Sequence, residues 1–121
     1  MITQKKIIAA ANEINWQCDI QKNDKFDFKK YYKKWSISFN CYTRFGQEVN
    51  VNFQINTLDN LSLKIYDYWQ NYDPDQEAIL WTDFSGHGKN GAPYRLKDII
   101  TDIEEVESKL EELYHAINKF E

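Results

Sequence analysis

The sequence predicts an α+β domain: an N-terminal helix, a three- to four-stranded antiparallel meander, then three helices packed on one sheet face. Three observations carry this. Apolar and polar residues alternate strictly in several runs between residues 16 and 55, the period of strands buried on one side. From Thr57 onward the apolar spacing changes to three and four, the period of amphipathic helices. At 121 residues the chain has room for one domain, residues 1–121, with no linker to divide it.

Residues 3–13 read as a helix capped by Thr3, with Ile7, Ala10, Ala11 and Ile14 on one face. Trp16, Cys18 and Ile20 then alternate with polar residues, as do Trp35, Ile37, Phe39 and Cys41, and again Val49, Val51, Phe53 and Ile55. Asn23-Asp24 and Arg44-Phe45-Gly46-Gln47 supply the turns. Phe26 and Phe28 suggest a further short strand near residues 25–31. Thr57 is placed to cap a helix whose inner face carries Leu58, Leu61, Ile65, Tyr68, Trp69 and Tyr72. Asp73-Pro74 starts the next helix, Asp73 as cap, Pro74 at the first position and Gln76 three residues on. It runs to about Thr82, and a glycine-rich loop follows from Asp83 to Pro93. The last helix, about residues 95–120, places Leu96, Ile103, Leu110 and Ile117 seven apart, and Ile99, Val106, Leu113 and Phe120 likewise. This is a heptad frame. Ile100 and Tyr114 widen the stripe, which favours packing on the chain's own sheet, as a monomer, over a homodimer seam through this helix.

Composition excludes whole classes. With 42% hydrophobic, 16% aromatic and 28% charged residues, the chain is neither a disordered tail nor a low-complexity or collagen-like segment. Net charge is −4, but it is polarised: residues 1–34 carry a local +4 and residues 98–121 a local −6. Opposite local charges point to interaction surfaces of opposite sign. No apolar run approaches the ~20 residues of a bilayer span, and the lysines of Met1-Ile2-Thr3-Gln4-Lys5-Lys6 are not followed by the apolar region of a signal peptide. The expectation is a cytoplasmic protein with no membrane contact, whose Cys18 and Cys41 stay reduced.

Residues that suggest chemistry do so weakly. Gly86-His87-Gly88-Lys89-Asn90-Gly91 matches G-x-G-x-x-G, yet a helix precedes it where the dinucleotide fingerprint needs a strand. The loop leads into a helix beside His87, Lys89 and Arg95, which leaves weak anion binding as its functional reading. Asp73, Asp75 and Glu77 have the spacing that opens a calcium loop, but Ala78 and Phe84 stand where glycine and glutamate are needed. Cys18, Cys41, His87 and His115 lack metal spacing. The expectation is therefore no catalytic residue, no metal and no cofactor. The order helix, three strands, helix invites a double-stranded RNA-binding reading, but Thr57-Leu58-Asp59-Asn60-Leu61 has no lysines where that reading needs them.

Surfaces say more. Ser38, Asn40, Tyr42, Asn50, Asn52 and Gln54, with Ser36 and Asn56, make the outer side of the strands polar and nearly uncharged. Such a face is either simply solvated or a flat hydrogen-bonding platform for a partner. The last helix presents Asp98, Asp102, Glu104, Glu105, Glu107, Glu111 and Glu112, of which Glu104 and Glu111 are candidate contacts to a basic partner. Lys25, Lys29, Lys30, Tyr32, Lys33 and Lys34 mix cations with aromatic rings, a combination that suits single-stranded nucleic acid. The same lysines would equally guard an edge strand against aggregation.

Tyr72-Asp73-Pro74-Asp75, Leu80-Trp81, Gly91-Ala92-Pro93, Asp102-Ile103-Glu104 and Leu110-Glu111-Glu112-Leu113 together resemble a group of small uncharacterised proteins carried by phages and conjugative elements of gut-type bacteria. In that group an aromatic-Asp-x-Asp segment runs to a Trp, a Gly-x-Pro turn follows, and an acidic helix ends the chain. Phe28, Tyr31 and Trp35 are similar to an aromatic strand segment of the same group, so the likeness covers about residues 26–115. Gln76-Glu77-Ala78 departs from the Glu-His pair usual there, which removes the one histidine candidate of that helix. The resemblance implies a mobile-element setting, where small proteins often act as accessory or anti-defence factors by binding. The expectation is a non-enzymatic protein with a protein partner; the alternative is a nucleic-acid-binding accessory protein using Lys22–Lys34.

Overall fold

The computed structural model describes residues 1–23, 33–83, 85–89, 92–93 and 95–120. The short strand expected near residues 25–31 lies outside them. Helix α1 (Gln4–Glu13) is capped as expected, the Thr3 side chain accepting the Lys6 N–H at 3.2 Å. It buries Ile7, Ala10 and Ala11. Asn15, at φ 66°, ends it in the left-handed region, which asparagine tolerates better than most residues. That reversal drops Trp16 into the core and starts β1.

Strands β1 (Gln17–Lys22), β2 (Trp35–Tyr42) and β3 (Glu48–Ile55) form an antiparallel sheet in the order β1-β2-β3. The register aligns the inward rows: Cys18 opposite Phe39 opposite Val51, then Ile20, Ile37 and Phe53. Phe39 meets Trp16 and Phe53 edge-on, with ring centres 6.4 and 6.0 Å away, the arrangement that aromatic quadrupoles favour. The β2–β3 turn closes through the Thr43 N–H to Gln47 O bond of 2.9 Å. Gly46 supplies the positive φ of 90° that this turn needs.

Helix α2 (Leu61–Gln70) follows a single 3-10 turn, Leu58–Asn60, so the helical segment begins tighter than the period predicts. The Thr57 side chain makes no capping bond. Leu61 and Ile65 are fully buried, but Tyr68 is 44% exposed instead of facing the core. Helix α3 (Pro74–Trp81) starts as expected, Asp73 Oδ1 accepting from the N–H groups of Asp75 (3.0 Å) and Gln76 (3.5 Å). It leans on α4 and leaves Ile79 and Leu80 exposed.

Helix α4 (Leu96–Asn118) buries Ile99, Ile103, Val106, Leu110, Leu113 and Ile117, so most of the heptad stripe is used within the chain's own core. Leu110, Leu113 and Ile117 share one cluster with the inner sheet face, α1 and α2. Truncating one such residue to alanine costs about 2–5 kcal/mol. Ile100 does not widen the stripe; it stays exposed.

Asp102 corrects the sequence reading. Placed among the solvated acids of α4, it is in fact fully buried. Its Oδ2 accepts the Thr43 hydroxyl at 2.6 Å and its Oδ1 the Phe45 N–H at 3.3 Å. Glu105 also leaves the free acidic stripe: both of its oxygens accept the Arg44 N–H, at 3.1 and 3.0 Å. Two carboxylates one helical turn apart thus clamp the β2–β3 turn onto α4. Turn amides turned away from the sheet ladder need other acceptors, and charged ones bind them more strongly than neutral ones. Among the described residues, no helix is long and apolar enough to cross a membrane.

Candidate functional site

The pleat that buries one side of the sheet turns the other side outward. The register assembles three polar rows across the strands: Gln17–Asn40–Asn50, Asp19–Ser38–Asn52 and Gln21–Ser36–Gln54. Tyr42 opposite Glu48 closes the turn end, its hydroxyl donating to Glu48 Oε2 at 3.2 Å. Ser38, Asn40, Tyr42, Asn50, Asn52 and Gln54, named from the sequence, therefore share one surface. Within the rows the one ionisable side chain is Asp19.

The amides here bond only sparsely to each other. Asn52 Nδ2 donates to Asn50 Oδ1 at 2.8 Å, and Asn50 Nδ2 reaches Ser38 Oγ at 3.4 Å. Asn23 seals the β1–β2 end, its Nδ2 donating to Lys33 O at 2.7 Å. A shallow hollow of about 280 Å³ lies over Asp19, Ser38 and Asn52. Apart from Asp19 and Glu48, such a surface offers both donors and acceptors without the desolvation cost of charge, and a packed inner face backs it.

Glu104 and Glu111 lie elsewhere. They are exposed on α4, which buries its opposite side in the same core as the sheet, so the two surfaces look away from each other. Glu111 stands 3.9 Å from His115. Of the lysine segment, Lys34 is exposed and Lys33 half-buried; Lys34 and Lys22 sit 6.0 and 5.7 Å from the Trp35 ring centre. Lys25, Lys29, Lys30 and Tyr32 lie outside the described residues.

The glycine loop supplies its own anion. Asp83 Oδ1 accepts from the Ser85 N–H (2.8 Å), the Ser85 hydroxyl (2.6 Å) and the His87 N–H (3.2 Å). These bonds, led by the Ser85 hydroxyl, hold the Asp83 carboxyl below its usual range. The Ser85 and His87 N–H groups are thereby engaged within the loop. Gly88 is packed so closely on Pro93 that an added Cβ would lie 1.9 Å from the Pro93 carbonyl oxygen.

Cys18 and Cys41 are unpaired. Burial, the larger cause at each, pushes Cys18 up to about 12 and Cys41 up to about 11, the neighbouring Asp19 adding to the first. Both are thiols at neutral pH, the opposite of what an activated nucleophile requires. Among the described residues, no group of three or more His, Cys, Asp or Glu is placed to hold a metal ion.

Sequence reasoning missed two features. One is the Thr43–Asp102 clamp, signalled by Asp102 lying three residues after Ile99 on the apolar stripe. The other is a groove between the free edge of β3 and Tyr68, Tyr72, Glu77 and Trp81, which no local pattern marks. No family model, curated protein or solved structure matches this chain.

Proposed function

We propose that this chain is a non-enzymatic interaction protein, of the accessory or anti-defence type carried by bacterial mobile elements, and that it binds a protein partner through the outer face of its sheet. The observation that carries the reading is the three-row polar surface, which gathers Ser38, Asn40, Asn50, Asn52 and Gln54, with Tyr42 at its turn end. The mobile-element setting rests on the sequence resemblance. The raised thiols, and the Ser85 and His87 groups already bound to Asp83, argue against chemistry at those places. The acidic face of α4 is the weaker candidate, because Asp102 and Glu105 are engaged with the β2–β3 turn.

Size sharpens the proposal. Strands about 4.8 Å apart, rising about 3.3 Å per residue, make this face on the order of 350 Å² in projection. A stable interface takes about 800 Å² per partner. Exposed Tyr42 stands at the β2–β3 end of the face, and tyrosine is enriched among the residues that carry binding energy.

The test is affinity capture from a bacterial lysate, with nuclease added, at low and high salt. The baits are the wild type, a Ser38→Arg/Asn52→Arg pair and a Glu104→Lys/Glu111→Lys pair. The expected result is a stoichiometric protein that survives both salts, is kept by the α4 pair, and is lost at least tenfold by the sheet pair at unchanged melting temperature. Retention by the sheet pair would refute the assignment. Capture of nucleic acid alone, lost with nuclease and at high salt, would transfer the function to the Lys22–Lys34 segment.

A further inference from the structure

Among the described residues the sheet ends at an open edge of β3 beside a groove, and we infer that this edge is a strand-addition site for an extended segment of a partner protein. The inference rests on the interaction reading above but uses a different surface. In an antiparallel pair, residues alternate between those bonded to the neighbouring strand and those whose N–H and C=O point away. The Thr43 N–H to Gln47 O bond sets the phase of that alternation. Cys41–Val49, Phe39–Val51 and Ile37–Phe53 are then the bonded pairs, and Glu48, Asn50, Asn52 and Gln54 direct their backbone groups to the free edge. Among the described residues no backbone partner meets them there.

Exposed edges are usually blunted by charge, proline, glycine or a bulge. The opposite edge strand, β1, carries Asp19 and Lys22. Strand β3 carries its one charge, Glu48, at the turn end, and the following residues 49–58, Val-Asn-Val-Asn-Phe-Gln-Ile-Asn-Thr-Leu, contain no charge, no proline and no glycine. Two hollows, of about 410 and 160 Å³, run beside this edge and share Tyr68, Tyr72 and Glu77. Tyr68 packs edge-on to Phe53 with ring centres 6.0 Å apart, and Trp81 Nε1 donates to Glu77 Oε2 at 3.0 Å, fixing the carboxylate beside the strand. A strand edge with a helical wall set next to it is the architecture that binds peptides by β-augmentation: main-chain bonds give affinity and the wall reads alternate side chains.

The occupant follows from the wall. Tyr68, Tyr72 and Trp81 ask for apolar or aromatic residues at alternate positions. Asp67 and Glu77 outnumber Lys64 along the larger hollow, so one of those positions takes Lys or Arg. A second copy of this chain fits poorly, since pairing β3 to β3 would offer the groove Val51, Phe53 and Ile55, which are already buried in their own core.

The experiment pans a random dodecapeptide library on the full chain, then titrates a selected, end-capped peptide into 15N-labelled protein. The expected sequences alternate β-branched or aromatic residues and carry one basic residue. On binding, the amides of Asn50, Asn52 and Gln54 gain at least tenfold protection from hydrogen exchange, while those of Val49, Val51 and Phe53 are protected throughout. Asn52→Pro, which removes an outward N–H without breaking the β2–β3 ladder, weakens binding at least tenfold. Should that variant not fold, Glu77→Lys is expected to abolish the preference for the basic residue. Ser38→Arg, on the central strand, leaves peptide affinity within twofold. Failure to select a peptide, binding without protection of the β3 amides, or loss of binding in Ser38→Arg overturns the inference, and the last outcome favours the sheet face instead. Concentration-dependent protection of the same amides without peptide overturns the assigned occupant in favour of a second copy.

Discussion

Replacing Asp102 with Asn and Thr43 with Val, singly and together, isolates the bond that ties α4 to the β2–β3 turn. Both residues are buried and their oxygens lie 2.6 Å apart. A hydrogen bond to a charged group contributes about 1.5–3 kcal/mol, and a donor or acceptor left buried without its partner costs a similar amount. Thr43→Val also removes the acceptor of the Gln47 N–H, 2.9 Å away. Its expected cost is therefore about 2–3 kcal/mol. Asp102→Asn keeps the shape and one carbonyl oxygen. That oxygen can face the Phe45 N–H only if the amide N–H₂ faces Thr43, which reverses the strong bond, and the expected cost is about 2 kcal/mol. The double variant should lose less than the sum, with a coupling of about 1.5–3 kcal/mol. Urea unfolding at constant slope reads these values, and for a chain of this size each kcal/mol moves the melting temperature by roughly 4 °C. A coupling below about 0.5 kcal/mol, the usual scatter for independent sites, would refute the clamp.

Gly46→Ala should cost about 1 kcal/mol, read by thermal melting, because its φ of 90° disfavours a side chain although open space surrounds the site. Cys41 should alkylate with iodoacetamide at pH 7.5 at least tenfold more slowly than a free thiol. Both thiol values are raised by burial, so their contribution to stability is intact below the ordinary value of 9.0 and is lost as pH rises toward about 11 and 12; base titration followed by circular dichroism checks it. Asp83 has the opposite sign: its carboxyl is depressed, so its hold on the loop persists above the ordinary value of 3.8 and fades as pH falls through the lower folded value. Amide shifts of Ser85 and His87 should stay constant from neutral pH down to that region, and a midpoint above 3.8 would contradict the bonding described.

Much of the fold was legible because it is written in local periods. Alternation at residues 35–41 and 49–55 placed every inward side chain of β2 and β3 correctly, since a strand repeats every two residues whatever lies opposite. Thr3 and Asp73 announced their caps for the same local reason, the bonds spanning two or three residues. The polar sheet face was legible too, being the complement of the buried one. Tyr68 and Ile100 misled, because periodicity shows which residues could share a face and not whether another element covers it.

The sequence by itself determined the element order, the inward and outward faces of the sheet, the starts of α1 and α3 and most of the stripe of α4, all properties of segments shorter than a dozen residues or of a sustained repeat. Only the tertiary structure decided that Asp102 is a buried clamp, since its partner Thr43 lies 59 residues away. It also decided that the glycine loop is closed by Asp83 and that α2 and α3 stand beside the free edge of β3. The physical reason is common to these cases. Burial and hydrogen-bond satisfaction depend on what arrives from distant parts of the chain, and an acid or a tyrosine carries the same local signature whether or not anything arrives.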